Sequence, residues 1–154
     1  MTGPYVAVCG PGSATEEEER WAEEVGRRLA EAGAVVVCGG LGGVMDAAAR
    51  GAAAAGGAVV GILPGEDRLG ASEHLSVAIP TGMGEARNAI IARAADAVIA
   101  VGGEWGTLSE IALARKMGKP VVGLGTWRFV DRGQDITRAA SPEDAVGRVL
   151  GLLG

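Results

Sequence analysis

Aromatic side chains are scarce in this chain. Three tryptophans, one tyrosine and one phenylalanine make up 3% of its 154 residues. A core without large rings must be closely packed Val, Ile, Leu and Ala, and a hydrophobic content of 48% is enough to build one. Histidine occurs once, at His74 in an irregular stretch, so no Ser–His–Asp relay can be drawn without it. No Cys/His cluster has metal-ligand spacing, and no metal site is expected. The two cysteines, Cys9 and Cys38, each end an apolar run and read as small buried hydrophobes in a reducing compartment. No apolar run approaches the roughly 20 residues that span a bilayer. No basic-then-apolar leader opens the chain either, so the expectation is a soluble cytoplasmic domain without a membrane partner.

Lysine is nearly absent too. Lys116 and Lys119 both fall between a helix end and a strand start, the edge opposite the glycine-rich turns, which argues against a Schiff-base lysine at a ligand site. The balance of 14 Lys and Arg against 19 Asp and Glu gives a net charge of −5. Binding to nucleic acid needs clustered cations, and this balance argues against it. The first turn reads GPGSA rather than GxGxxG, and Cys38 stands where an acidic residue would hold a ribose. Ordinary NAD recognition is therefore not supported. The GxxxxGK[ST] phosphate loop is missing as well.

Glycine, at 27 residues, punctuates a regular alternation of apolar strands and helices. Strands are expected at Tyr5–Cys9, Ala34–Cys38, Ala58–Leu63, Leu75–Ile79, Asp96–Val101 and Pro120–Leu124, with a short edge strand at Ile136–Ala139. Between them run helices from Thr15 to Gly33, over Val44–Ala55, after Thr81 to near Ala95, over Thr107–Met117 and over Ser141–Leu153. Residues 64–74 and 125–133 read as loops, the first of them a candidate cover for a site. Continuous apolar strands alternating with helices define an α/β fold: a Rossmann-like three-layer sandwich with a mainly parallel six- or seven-stranded sheet. No repeat or second unit is visible, so residues 1–154 are expected to form a single nucleotide-binding domain.

On that topology three glycine turns gather at the carboxyl edge of the sheet, where ligands bind. They are Gly10–Ser13, Gly39–Gly43 and Gly102–Gly106. Together they suit a small-molecule ligand carrying phosphate or ribose, with Gly10, Ser13, Gly40, Gly43 and Asn88 as candidate nucleotide-binding residues. The third turn is bracketed by Arg87 and Glu110. Thr107-Leu-Ser-Glu110 also has capping-box spacing, as does Thr15 with Glu18, which offers Glu110 a purely structural role at a helix start.

Around these residues the chain resembles the LONELY GUY (LOG) family and its nucleotide-binding superfamily, whose members often carry the misleading label "lysine decarboxylase-like". The family pattern is an Arg–Lys pair, an apolar strand, then PGGxGTxxE. Arg87-Asn88 and Gly102-Gly-Glu-Trp-Gly-Thr-Leu-Ser-Glu110 align with it without a gap, and CGGLGGVMDAAARGA (Cys38–Ala52) and GILP (Gly61–Pro64) extend the likeness. TGMGEARN (Thr81–Asn88) looks closest to a bacterial and archaeal sister group. The resemblance implies a homodimer or higher homo-oligomer, without metal or other cofactor, that hydrolyses the N-glycosidic bond of a purine nucleoside 5′-monophosphate such as AMP or a cytokinin riboside monophosphate. Gly103, Gly106 and Thr107 would hold the phosphate, and Arg87 and Glu110 would be catalytic. A carboxylate near the ribose suits the oxocarbenium character of such a cleavage. The sequence departs from the pattern at Glu104, in place of the second glycine, at Asn88, in place of lysine, and at Glu85, in place of histidine. The same superfamily contains non-catalytic proteins, one group of which carries molybdenum cofactor, and that is the alternative reading.

Overall fold

The apolar runs become the middle of a sheet. In the computed structural model, which describes residues 3–130 and 136–154, β1 (Tyr5–Cys9), β2 (Val35–Cys38), β5 (Ala97–Val101) and β6 (Val121–Leu124) are almost entirely buried. Strands with helices on both faces cannot present a polar side, which is why these read as unbroken hydrophobic stretches. Strand β3 (Val59–Leu63) lies outside β2, β4 (Val77–Pro80) beyond it, and β7 (Thr137–Arg138) at the other edge. The sheet order is β4-β3-β2-β1-β5-β6-β7, and every pairing is parallel.

The order in which strands are added switches sides between β1 and β5, whose carboxyl ends flank the switch point. Odd and even residues of β1 serve opposite cores. Val6 and Val8 face a cluster with α1 (Glu16–Glu31), α2 (Val44–Ala54) and α5 (Pro142–Leu153), whereas Ala7 and Cys9 face α3 (Asn88–Ala94) and α4 (Trp105–Lys116). The three layers expected from the alternation are present.

Close packing replaces bulk, as the lack of aromatics requires. At the α1–α2 crossing a Cβ on Gly26 would stand 2.0 Å from the carbonyl oxygen of Ala48, and one on Gly51 would stand 1.9 Å from that of Glu23. The two helices therefore touch backbone to backbone. Helix α1 starts as its sequence signals: Thr15 accepts a hydrogen bond from the Glu18 N–H, with four glutamates in the first turn.

Two expectations are corrected. The fourth strand starts at Val77 rather than Leu75, because Leu75 turns inward against Gly61 and the α1–α2 core. The Ser76 hydroxyl instead accepts from the Val59 N–H and leads the chain into the edge. As an edge strand β4 alternates in exposure, with Val77 and Ile79 facing out. The segment after Thr81 enters its helix through a 3-10 turn, Gly84–Arg87, before α3 proper. The loop expected at 125–133 is described only to residue 130; its remainder lies outside the described residues. No helix among the described residues is long and apolar enough to cross a membrane.

Candidate functional site

The carboxyl ends of β1, β2, β3 and β5 meet the start of α4, and the polar residues buried in the molecule collect there. Arg87, Asn88, Thr107 and Glu110 are the buried polar and charged side chains among the described residues. All four lie in the stretch singled out from sequence.

Arg87 ends the 3-10 turn and reaches back across the sheet. Its Nε donates to Ile62 O at 2.9 Å, one terminal nitrogen donates to Asn88 Oδ1, and the other lies 3.5 Å from Gly39 O. Three of the five guanidinium N–H groups are thus engaged by the protein. The cation is pinned over the ends of β2 and β3.

Asn88 is a bracket. Its amide donates to Ser109 Oγ at 2.9 Å, and Ser109 Oγ donates to Gly106 O at 2.7 Å, joining α3 to the first turn of α4. Its side-chain oxygen and nitrogen both have partners in the protein, so structure accounts for this candidate nucleotide-binding residue. Ser109 was not among the expected residues. Its position three residues after Gly106 was the available signal.

Glu110 does not cap its helix. Helix α4 begins at Trp105, two residues earlier than expected, with Glu104 as N-cap. That places Thr107 inside the first turn, so the capping-box reading fails for want of register. Glu110 instead turns toward the strand ends, where the Cys9 thiol hydrogen-bonds its carboxyl group. Burial pushes its pKa up to about 7, while the Cys9 contact and the charge of Arg87 pull the other way and Glu85 adds to the rise. Arg87 and Glu110 thus sit within electrostatic reach of each other, and the guanidinium bonds carbonyls rather than the carboxylate. Burial also raises the Cys9 thiol well above its ordinary range and lifts Cys38 to about 12, so both are inert thiols.

The helix start is bare. The Glu104 side chain makes no cap, so the first N–H groups of α4 lack the partner that Thr15 supplies in α1 and Ser141 in α5. Thr107 is 2% exposed, and its hydroxyl is buried without a hydrogen-bond partner. A Cβ on Gly106 would meet nothing within 4 Å, so the turn opens on free space. Glu104 itself is exposed, with φ −122° and ψ −179°, extended backbone that any residue adopts. Replacing the family's second glycine with glutamate therefore costs no backbone strain. Gly102 carries the positive φ, 65°, and a Cβ there would lie 2.8 Å from the Glu18 carboxyl carbon.

The other two turns serve packing as much as any ligand. A Cβ on Gly10 would meet Val101 O at 2.5 Å, one on Gly40 the Leu63 side chain at 2.6 Å, and one on Gly43 Pro11 O at 2.2 Å. Ser13 is exposed. Across the rim, Ser72 closes the 64–74 loop onto the second turn, donating from its N–H to Gly40 O at 2.8 Å and from its hydroxyl to Asp46 at 2.6 Å. Lys119 lies at the opposite edge, as expected, donating to Arg93 O and Ala95 O.

An uncapped helix start at the switch point of a parallel α/β sheet places the molecule in the Rossmann-like class. Within it, residues 3–147 match the SLOG cluster4 family, and the chain belongs to that family. It is 50% identical over 119 residues to an "uncharacterized protein" of Archaeoglobus fulgidus, covering 77% of this chain and 78% of the relative. Its fold is similar to that of the molybdenum cofactor binding protein of Rippkaea orientalis (TM-score 0.93, 36% identity, 100% of this chain and 99% of that one). It is similarly close to the molybdenum cofactor carrier protein of Chlamydomonas reinhardtii (TM-score 0.89, 38% identity, 98% of each chain). DNA processing protein A of Helicobacter pylori shares the fold alone, at 20% identity and TM-score 0.75 over 97% of this chain and 81% of that one. The LOG resemblance therefore holds at the level of the superfamily.

Proposed function

We propose that this protein binds and carries a phosphorylated fused-ring cofactor, of the molybdenum cofactor class, with the phosphate seated on the first turn of α4. The observation that carries the reading is Thr107: a buried hydroxyl without a partner, beside uncapped helix N–H groups and the open space at Gly106. A phosphomonoester supplies acceptor oxygens for all of these at once. Likeness over the full chain to two proteins named for molybdenum cofactor supports the identity of the cargo. Among the described residues no group of His, Cys, Asp and Glu is placed to hold a metal ion. The cargo is thus gripped by its organic part.

The site supports hydrolysis of a nucleoside monophosphate less well. Glu110 is buried and bonded to Cys9 rather than open to a sugar, and Arg87 is engaged by carbonyls. One feature favours it as the second reading: a carboxyl group with a pKa about 7 near a guanidinium suits acid–base work. A homodimer, as the family resemblance implies, is part of the proposal and is tested by light scattering at micromolar concentration.

The deciding experiment incubates the purified protein anaerobically with cofactor released from a molybdoenzyme. The protein is then desalted, and bound molybdenum and the fluorescent oxidised pterin are measured. Stoichiometric retention of both, lost in Thr107→Val, is expected. No retention, together with adenine released from AMP, would replace the carrier by the hydrolase.

A further inference from the structure

Two of the five aromatic residues meet at the β5–α4 turn, and one of them is left in water. Trp105, the first residue of α4, is 77% exposed, and its ring centroid lies 5.1 Å from that of Trp127 with the planes tilted by 39°. Trp127 is firmly held. Its Nε1 donates to Glu104 O at 3.1 Å, its ring lies against Gly103, and Arg138 donates to its carbonyl oxygen. A Cβ on Gly103 would come within 2.9 Å of the indole, so the turn and the ring are in contact.

Trp105 stands two residues before Thr107, whose hydroxyl is buried and unpartnered. A second such hydroxyl, Thr126 Oγ1, lies 3.4 Å from the place of that same Gly103 Cβ. An exposed indole braced from behind, at the first residue of an uncapped helix, is a surface with one half of a contact missing. Indoles expose much apolar area and stack on planar rings through their π faces.

We infer that Trp105, backed by Trp127, is the platform on which the fused ring of the ligand stacks while its phosphate occupies the start of α4. This rests on the phosphate site proposed above and adds the class of group bound next to it: a planar bicyclic heterocycle, pterin or purine. Stacking tolerates ring identity, so the platform selects for a flat ring and leaves its edges to other contacts.

Calorimetric titration of the wild type, Trp105→Ala and Trp105→Phe with neopterin monophosphate, AMP and ribose 5-phosphate tests the assignment. The first two probes carry a fused ring and a phosphate, the third a phosphate alone. At least one ring ligand should bind the wild type more tightly than ribose 5-phosphate does. Trp105→Ala should lose roughly tenfold to hundredfold of that affinity, Trp105→Phe should recover most of it, and ribose 5-phosphate should stay within about twofold throughout. The exposed position makes both variants safe for folding.

Equal affinity of Trp105→Ala and the wild type for a ring ligand would overturn the platform and leave the phosphate site standing. So would ring ligands that bind no better than ribose 5-phosphate. Failure of all three probes on the wild type would remove site and platform together. A fall in light-scattering mass in Trp105→Ala would make the indole a contact with a second copy, and the platform reading would fall.

Discussion

The thiol of Cys9, at the last residue of β1, hydrogen-bonds the carboxyl group of Glu110, six residues into α4, so a strand end and a helix flank share a proton-bearing contact. Burial makes the neutral acid the preferred form there. Its pKa of about 7 lies above the ordinary 4.5, so the folded chain holds this proton more tightly than the unfolded one. The stabilisation is complete below about 4.5 and is lost as pH rises through about 7. Urea titrations across that window should show stability falling by on the order of 3 kcal/mol, and Glu110→Gln should flatten the fall. The same slope in the variant would place the titration elsewhere.

Thr107→Val should separate stability from binding. Valine removes a buried hydroxyl that lacks a partner, and such a group costs about 1–3 kcal/mol. The melting temperature should therefore hold or rise, while affinity for phosphorylated ligands should drop by roughly tenfold or more. Calorimetry reads both. A lower Tm would mean that the hydroxyl has a structural partner.

Arg87→Ala should be among the most damaging single changes. It strips donors from Ile62 O, Gly39 O and Asn88 at the ends of two strands. A loss of about 2–4 kcal/mol by denaturant unfolding is expected. Arg87→Lys should recover only part of this, since an ammonium keeps the charge and lacks the planar fork.

Gly26→Ala inverts a common rule. In an exposed helix the change would gain up to about 1 kcal/mol. Here the new methyl would stand 2.0 Å from Ala48 O, in backbone that cannot step aside cheaply. A loss of about 2–3 kcal/mol, seen as a lower urea midpoint, is the expected outcome.

Much of this architecture is legible in the residues. The runs YVAVC, VVVC and AVIAV are apolar at every position, and only a sheet covered on both faces asks for that. Arg87 and Glu110 stood out because they flank a glycine turn, Thr107 because the LOG resemblance pointed to it, and all three are buried. What spacing could not supply was register. The motif Ser/Thr-x-x-Glu marks a true cap at Thr15 and a false one at Thr107, because α4 starts at Trp105 and draws the threonine inside. Partners distant in sequence were equally invisible. Cys9 and Glu110 lie about a hundred residues apart, and only the packing of α4 against the sheet brings them together. The edge strand slipped for a related reason: Leu75 is as apolar as its neighbours, yet it goes to the core and leaves Val77 to begin the pairing.

Helices α1 and α5 finish their own starts with Thr15 and Ser141, whereas α4 leaves that task undone. A helix completed only by an arriving guest is firmer when loaded than when empty. On the proposed carrier reading, delivery and protection become one event: the bound guest tightens the helix that holds it, and its departure slackens that helix again.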